Sequence, residues 1–289
     1  MNNIIASDIY ETIKSKENID SYLNDILEIS DLTKEREFNI FKSEEIWDYQ
    51  IDESSFAEWL YSKENPELVD LKKELSILIN KAKTIDRKTY NKYESYLEEG
   101  SSNFYSFSCQ FVFLSDDDKE QYHNVSTLNK YYNVLRWYLR KSPNINTLFN
   151  SGKNVFPNLY FHENVLPSLR TLNNSFSSIV EEIIEHLEAL ELYSGIENKI
   201  PSVSNRVKCQ QIVEKYNIDC SPETSRERAK IMSFEILVSE RKQKINCEYH
   251  TKFKKFGRDN TKQDRIYFSF GDKEYEDGKM IIYHIGDHV

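Results

Sequence analysis

Hydrophobic positions along this chain recur first at helical spacing and then, toward the C-terminus, at every second residue. A period near 3.6 marks a helix with one buried stripe, and a period of two marks a strand with one buried face. Tyr22, Leu23, Ile26 and Leu27 form an amphipathic patch within a polar, helix-prone stretch over residues 1–50. Residues 54–61 predict a short helix carrying Phe56, Trp59 and Leu60. Asn65-Pro66 offers an N-cap and a first-turn proline, with Leu68, Leu71, Leu75, Leu78 and Ala82 following at helical intervals. Phe104 to Leu114 then alternates, with Tyr105, Phe107, Cys109, Phe111 and Phe113 against Ser106, Ser108 and Gln110, which predicts a half-buried strand.

Two further helices follow. Ser126 is placed to cap one that runs to about Lys141, with Leu128, Tyr131, Leu135, Tyr138 and Leu139 inward and Lys130, Arg136, Arg140 and Lys141 on a solvated face. The cleanest helix spans residues 176–192. Ile179, Ile183, Leu187 and Leu190 make its buried stripe, Glu181, Glu182, Glu185, Glu188 and Glu191 its solvent side, and His186 borders the stripe as packing or surface. Gly195 to Ser204, with Pro201, has the composition of a linker, and a helix is expected from Ser204 to Tyr216. Ser221-Pro222-Glu223 predicts the start of one more short helix, and Phe234 to Val238 the first strand of a terminal sheet.

The tail is strand-like throughout. Cys247, Tyr249, Thr251 and Phe253 share one face, and His250, Lys252 and Lys254 the other. Ile266, Phe268 and Phe270 lie opposite Arg265, Tyr267 and Ser269. Lys279 to Ile285 is nearly continuous apolar, as a central strand buried on both sides would be. Gly271 and Asp277-Gly278 supply hairpin-turn residues. The expectation is an α+β chain: a mainly helical region over residues 1–200, then a module over 201–289 with two short helices on a four-stranded antiparallel sheet.

Composition adds one feature. The net charge is −10, yet Glu240 to Arg265 holds nine Lys and Arg against four Asp and Glu. A local basic strip on an acidic chain suits contact with phosphate at one place. Four scattered cysteines make no disulfide framework, and no apolar run reaches membrane-span length, so a cytoplasmic location without membrane contact is expected.

The order H-x-K at His250, a Gly257-Arg258 loop, R-I-Y-F from Arg265, and an apolar last strand ending near His284 and His288 resembles the RelE/HigB/ParE-type toxin superfamily over about the last fifth of the chain. The whole chain also resembles bacterial proteins that share this ending. The toxin resemblance implies a compact module with a curved antiparallel sheet and, in many members, cleavage of ribosome-bound messenger RNA without a metal or other cofactor. It implies catalytic roles among Lys252, Lys254, Arg265, Tyr267, His250 and His284, and RNA contacts from Lys255, Arg258 and Lys262. A protein partner or inhibitor would meet the N-terminal helical region.

Metal-free RNA cleavage needs a base for the 2′-hydroxyl, positive charge on the phosphate oxygens and an acid for the leaving oxygen, and Lys, Arg, His and Tyr are those types. Two metal readings are weaker. Cys247 with His250, and His284 with His288, have zinc-ligand spacing, but residues three apart on a strand face opposite ways. Asp264 with Asp277-Gly278-Lys279 has the order of a magnesium nuclease, but the Asp-Gly pair is better explained as a turn. The reading from another class is a non-enzymatic interaction module.

Overall fold

A computed structural model describes all residues except 1, 6–8, 16, 36–38, 52, 99–110, 114–124, 126, 197–202, 239–240, 257–261, 272–273 and 289. Contacts divide the chain into two compact units, Met1–Leu135 and Arg136–Val289. The chain is of the α+β class. No helix among the described residues is long and apolar enough to cross a membrane.

In the first unit the elements run β1 (Asn2–Ile5), α1 (Ile9–Ser15), α2 (Ile19–Glu35), β2 (Asn39–Ser43), β3 (Gln50–Ile51), β4 (Ser54–Ser55) and α3 (Phe56–Tyr61). Next come α4 (Val69–Lys81), β5 (Lys83–Ile85), α5 (Arg87–Glu98), β6 (Phe111–Phe113) and α6 (Leu128–Leu139), whose last turn falls in the second unit. Helix α3 begins as the pattern predicts. The Ser55 hydroxyl accepts from the Glu58 backbone N–H, and the Glu58 carboxylate accepts from that of Ser55. Asn65-Pro66 opens only a single 3-10 turn, with Asn65 left-handed and making no side-chain cap, and α4 starts at Val69. Thr127 accepts from the Lys130 N–H at the start of α6, while Ser126, the expected cap, lies outside the described residues.

The first unit is mainly helical among its described residues, as its sequence suggested, and it also holds a sheet that the sequence did not show. Strands β5, β2, β1 and β6 form a parallel sheet in that order. Of the strand predicted over Phe104 to Leu114, Phe111–Phe113 is described and pairs with β1; the remainder lies outside the described residues.

The second unit continues with α7 (Ile145–Gly152), β7 (Leu159–Phe161), α8 (Val165–Ser168), α9 (Phe176–Ile196), α10 (Asn205–Tyr216), β8 (Cys220–Pro222) and α11 (Arg226–Ile231). It ends with β9 (Ser233–Val238), β10 (Arg241–Asn246), β11 (Tyr249–Phe256), β12 (Gln263–Ser269) and β13 (Met280–Gly286). The sheet order is β7-β13-β12-β11-β8. Its four tail strands are antiparallel, and β7 is added parallel to β13 from far upstream. The expected boundary at 200/201 therefore falls inside this unit, as does the candidate linker Gly195 to Ser204, of which 197–202 are not described.

Two assignments near the tail change. Ser221-Pro222 is strand rather than helix start, and Ser225 caps α11 by accepting from the Arg228 N–H. Phe234 to Val238 does not enter the sheet but pairs with β10 as a separate hairpin. Strand β13 is buried along nearly its whole length, as continuous apolarity implies. The β12–β13 turn uses Gly271 at φ +88° and Asp277-Gly278, both with positive φ. At Gly286 a Cβ would sit 2.4 Å from the Ser168 carbonyl oxygen and from the Thr171 hydroxyl, so only glycine lets the end of β13 close against that loop.

Helix α9 buries Ile179, Ile183, Leu187 and Leu190 completely. Its wheel misleads at one end, because Glu191 is 3% exposed. The Glu191 carboxylate accepts from the Asn158 backbone N–H at 3.0 Å and its side-chain amide at 2.6 Å, and Arg136 Nη2 lies 3.8 Å away. Burial pushes this carboxyl up against those favourable partners. Arg136, expected on a solvated face, is accordingly buried, and Arg140 pairs with Glu188.

Asp264 has a similar role on β12. Fully buried, its carboxylate accepts from the backbone and side-chain N–H groups of Asn173, each at 2.9 Å, and of Asn174 at 3.3 and 3.0 Å. A carboxylate so occupied is a strut between β12 and the start of α9. Asp264→Ala leaves those donors without an acceptor and is expected to cost about 3–5 kcal/mol, read as a lower urea midpoint with an unchanged slope. A loss below about 1 kcal/mol would show that the loop relaxes to water instead.

Candidate functional site

The register of the sheet decides which tail side chains meet. On adjacent strands, directly opposed residues project to the same face. Ser221 faces His250, His250 faces Tyr267, and Tyr267 faces His284, one row across β8, β11, β12 and β13. The next row pairs Lys252 with Arg265 and Arg265 with Gly286. Alternation thus places His250, Lys252, Arg265 and Tyr267 together, as the sequence led us to expect.

At the centre is Arg265, with 13% of its side chain exposed. Its Nη1 donates to the Tyr267 hydroxyl at 3.3 Å and approaches His250 Nε2 at 3.2 Å and Glu223 Oε2 at 3.6 Å. Its buried Nε–H has no acceptor among the described residues. The Tyr267 hydroxyl donates to Glu223 Oε2 at 3.3 Å. His288 Nε2 lies 3.7 Å from that same oxygen and 2.9 Å from Arg228 Nη1. Glu223, Arg228 and His288 complete the cluster, and none was selected from sequence for this role.

Electrostatics sort these groups by protonation. Burial, then the charges of Arg265 and Lys252, push the His250 imidazole down to about 4. A neutral His250 accepts at Nε2, where the Ser221 hydroxyl is also 3.4 Å away. Burial alone would raise the Glu223 carboxyl, but the Ser225 N–H bond, the imidazoles of His250 and His288 when protonated, and the charge of Arg265 hold it below the usual range. Glu223 is therefore an anion at neutral pH. Burial and the neighbouring Arg265 and Arg228 lower His288, which keeps a quarter of its side chain exposed. Burial raises Tyr267, so its phenol stays protonated.

The remaining candidates separate. Lys252 stands at the rim, 25% exposed, with Nζ 3.3 Å from Asp219 Oδ2. Lys254 is exposed, its backbone N–H donates to Glu182, and no bond among the described residues ties it to the cluster. The Lys252–Phe256 irregularity of β11 falls there and ends the simple alternation. His284 is buried edge-on to Tyr267, its Nε2 bonded to the Asp287 carbonyl at 3.0 Å. Lys262 is exposed just before β12; Arg258 and the Lys255 side chain lie outside the described residues. Cys247 packs with Ile245 and Ile281, away from His250. Comparison with family models, curated proteins and solved structures returns no match.

Proposed function

We propose that the second unit is a metal-independent endoribonuclease acting on ribosome-bound messenger RNA, in the bacterial toxin or phage-defence setting that the tail resemblance implies. The observation that carries this reading is the juxtaposition of two arginines, an ionised carboxylate and a part-exposed histidine. Arg265 and His288 lie 3.6 and 3.7 Å from one Glu223 oxygen, and Arg228 lies 2.9 Å from His288. Cleavage of RNA by attack of its own 2′-oxygen on phosphorus asks for that set.

In this scheme neutral His288 removes the 2′-hydroxyl proton as the 2′-oxygen attacks phosphorus. Glu223 favours the imidazolium that forms. Arg265 and Arg228 take the charge that grows on the non-bridging oxygens, and their planar forks can each bond two of them. The bond from phosphorus to the 5′-oxygen breaks, and the Lys252 ammonium protonates the leaving oxygen. The products are a 2′,3′-cyclic phosphate and a 5′-hydroxyl. His250 and Tyr267 hold Arg265 from behind and act as positioning residues.

The test incubates the purified full chain with ribosomes and end-labelled messenger RNA in EDTA. Cleavage should persist without divalent metal, fall about 100-fold or more in Arg265→Ala, and remain impaired in Arg265→Lys, which keeps charge but loses the fork. Absence of cleavage, or cleavage indifferent to Arg265→Ala, would overturn the proposal in favour of an interaction module. A protein partner or inhibitor on the first unit belongs to the same setting.

A further inference from the structure

Strand β8, which delivers Ser221 and Glu223 to the cluster, is only three residues long and carries Cys220. Helix α10 packs on it and carries Cys209, and both thiols are free and buried. The two side chains are hydrogen-bonded to each other. Only Cys209 and Ile212 of α10 are buried, so the helix is attached along a narrow stripe, with the Tyr193 hydroxyl donating to Gln211 at 2.7 Å beside it. A helix held so lightly opens locally at modest cost, which admits a small oxidant.

We infer that Cys209 and Cys220 form a reversible disulfide site that ties α10 to β8 and thereby sets the position of Glu223. The bond from the Cys220 thiol holds the Cys209 sulfur toward thiolate against the effect of burial, and the same bond, with burial, raises Cys220. Either thiol can attack first, and the steps are written here for Cys209. With hydrogen peroxide as oxidant, the Cys209 sulfur attacks one oxygen, the O–O bond breaks, and the released hydroxide takes a proton to leave as water. The Cys220 sulfur then attacks the resulting sulfenic acid. The S–S bond forms, a second water leaves, and the two sulfurs have given two electrons to the peroxide.

The consequence for activity rests on the ribonuclease reading; the disulfide does not. Peroxide treatment of the reduced full chain, alkylation and peptide mapping should recover Cys209 and Cys220 joined, two hydrogens lighter. The melting temperature should rise by on the order of 5 °C, reversibly with dithiothreitol. Cys209→Ser and Cys220→Ser should each abolish the linked peptide, and Cys247→Ser should not. RNA cleavage by the oxidised chain should differ at least about threefold from the reduced chain, since a displaced carboxylate loses its contact with His288. Complete alkylation of both thiols after oxidation, or a Cys220 joined elsewhere, overturns the inference. So does a formed disulfide with an unchanged cleavage rate. Absence of cleavage in both forms, with the linked peptide present, counts against the ribonuclease reading alone.

Discussion

Replacing His288 by alanine is expected to slow RNA cleavage by about 100- to 10,000-fold, the range for loss of a positioned general base. The effect is specific because His288 lies past β13 with a quarter of its side chain exposed, so truncation empties no core. Its ring is lowered by burial and by Arg265 and Arg228, so the base form already dominates at neutral pH. The rate should therefore climb with pH on a limb whose midpoint lies below the ordinary histidine value of about 6.5. Glu223→Gln removes the carboxylate 3.7 Å from Nε2 while keeping its shape. The imidazolium loses its counter-charge, so that limb should move to lower pH and the rate fall less than in His288→Ala. Single-turnover cleavage across pH 4.5 to 8 measures both. A His288→Ala rate within threefold of wild type would remove the histidine from the chemistry.

The half of the cluster that was legible in the sequence lies on long strands. His250 with Lys252, and Arg265 with Tyr267, could be assigned to faces because β11 and β12 are long enough for a period of two to register. Alternation could not say that these strands are neighbours, nor that β8 borders them. Glu223 was hidden for a different reason. Cys220–Pro222 is too short to show any period, and Ser221-Pro222 has the chemistry of a helix start, although Ser225 is the residue that caps. His288 stood out as a metal-ligand type and as part of the tail resemblance but not as a partner of Arg228, since nothing local links it to that residue, sixty positions upstream. Most of the parallel sheet of the first unit was hidden by the same shortness: β1, β2 and β5 have four, five and three residues, and only β6 lies in a stretch whose alternation registered. Glu191 and Arg136 show the opposite failure. A helical wheel assumes one buried stripe, but the end of α9 is covered on a second side by the Asn158 segment.

Acid should unfold the second unit well above the pH at which carboxylates alone would do so. His186, 2% exposed, is held by a hydrogen bond between its Nδ1 and the Thr251 hydroxyl and by edge-on contact with Phe253. Burial, with a smaller contribution from Lys254, pushes it down to about 3. His250 is pushed down to about 4. In the unfolded chain both return to about 6.5. Between these limits the unfolded state binds protons that the folded state refuses, so stability is complete above pH 6.5 and is lost as pH falls toward 4 and 3. Two such groups give a slope of about 2–3 kcal/mol per pH unit near pH 5. Over two units that approaches the 5–15 kcal/mol typical of a whole domain. Glu223, held low in the fold, adds loss below about pH 4.5, whereas Glu191, pushed up by burial, takes its proton early in the folded state and offsets part of it. Urea unfolding followed by near-ultraviolet circular dichroism from pH 7.5 to 4 would give the slope. Substituting His186 by glutamine should roughly halve it, even where the variant is less stable at pH 7.5. A pH-independent midpoint between 7 and 5 would mean that neither histidine is buried neutral, and with it the placement of His250 behind Arg265 would fall.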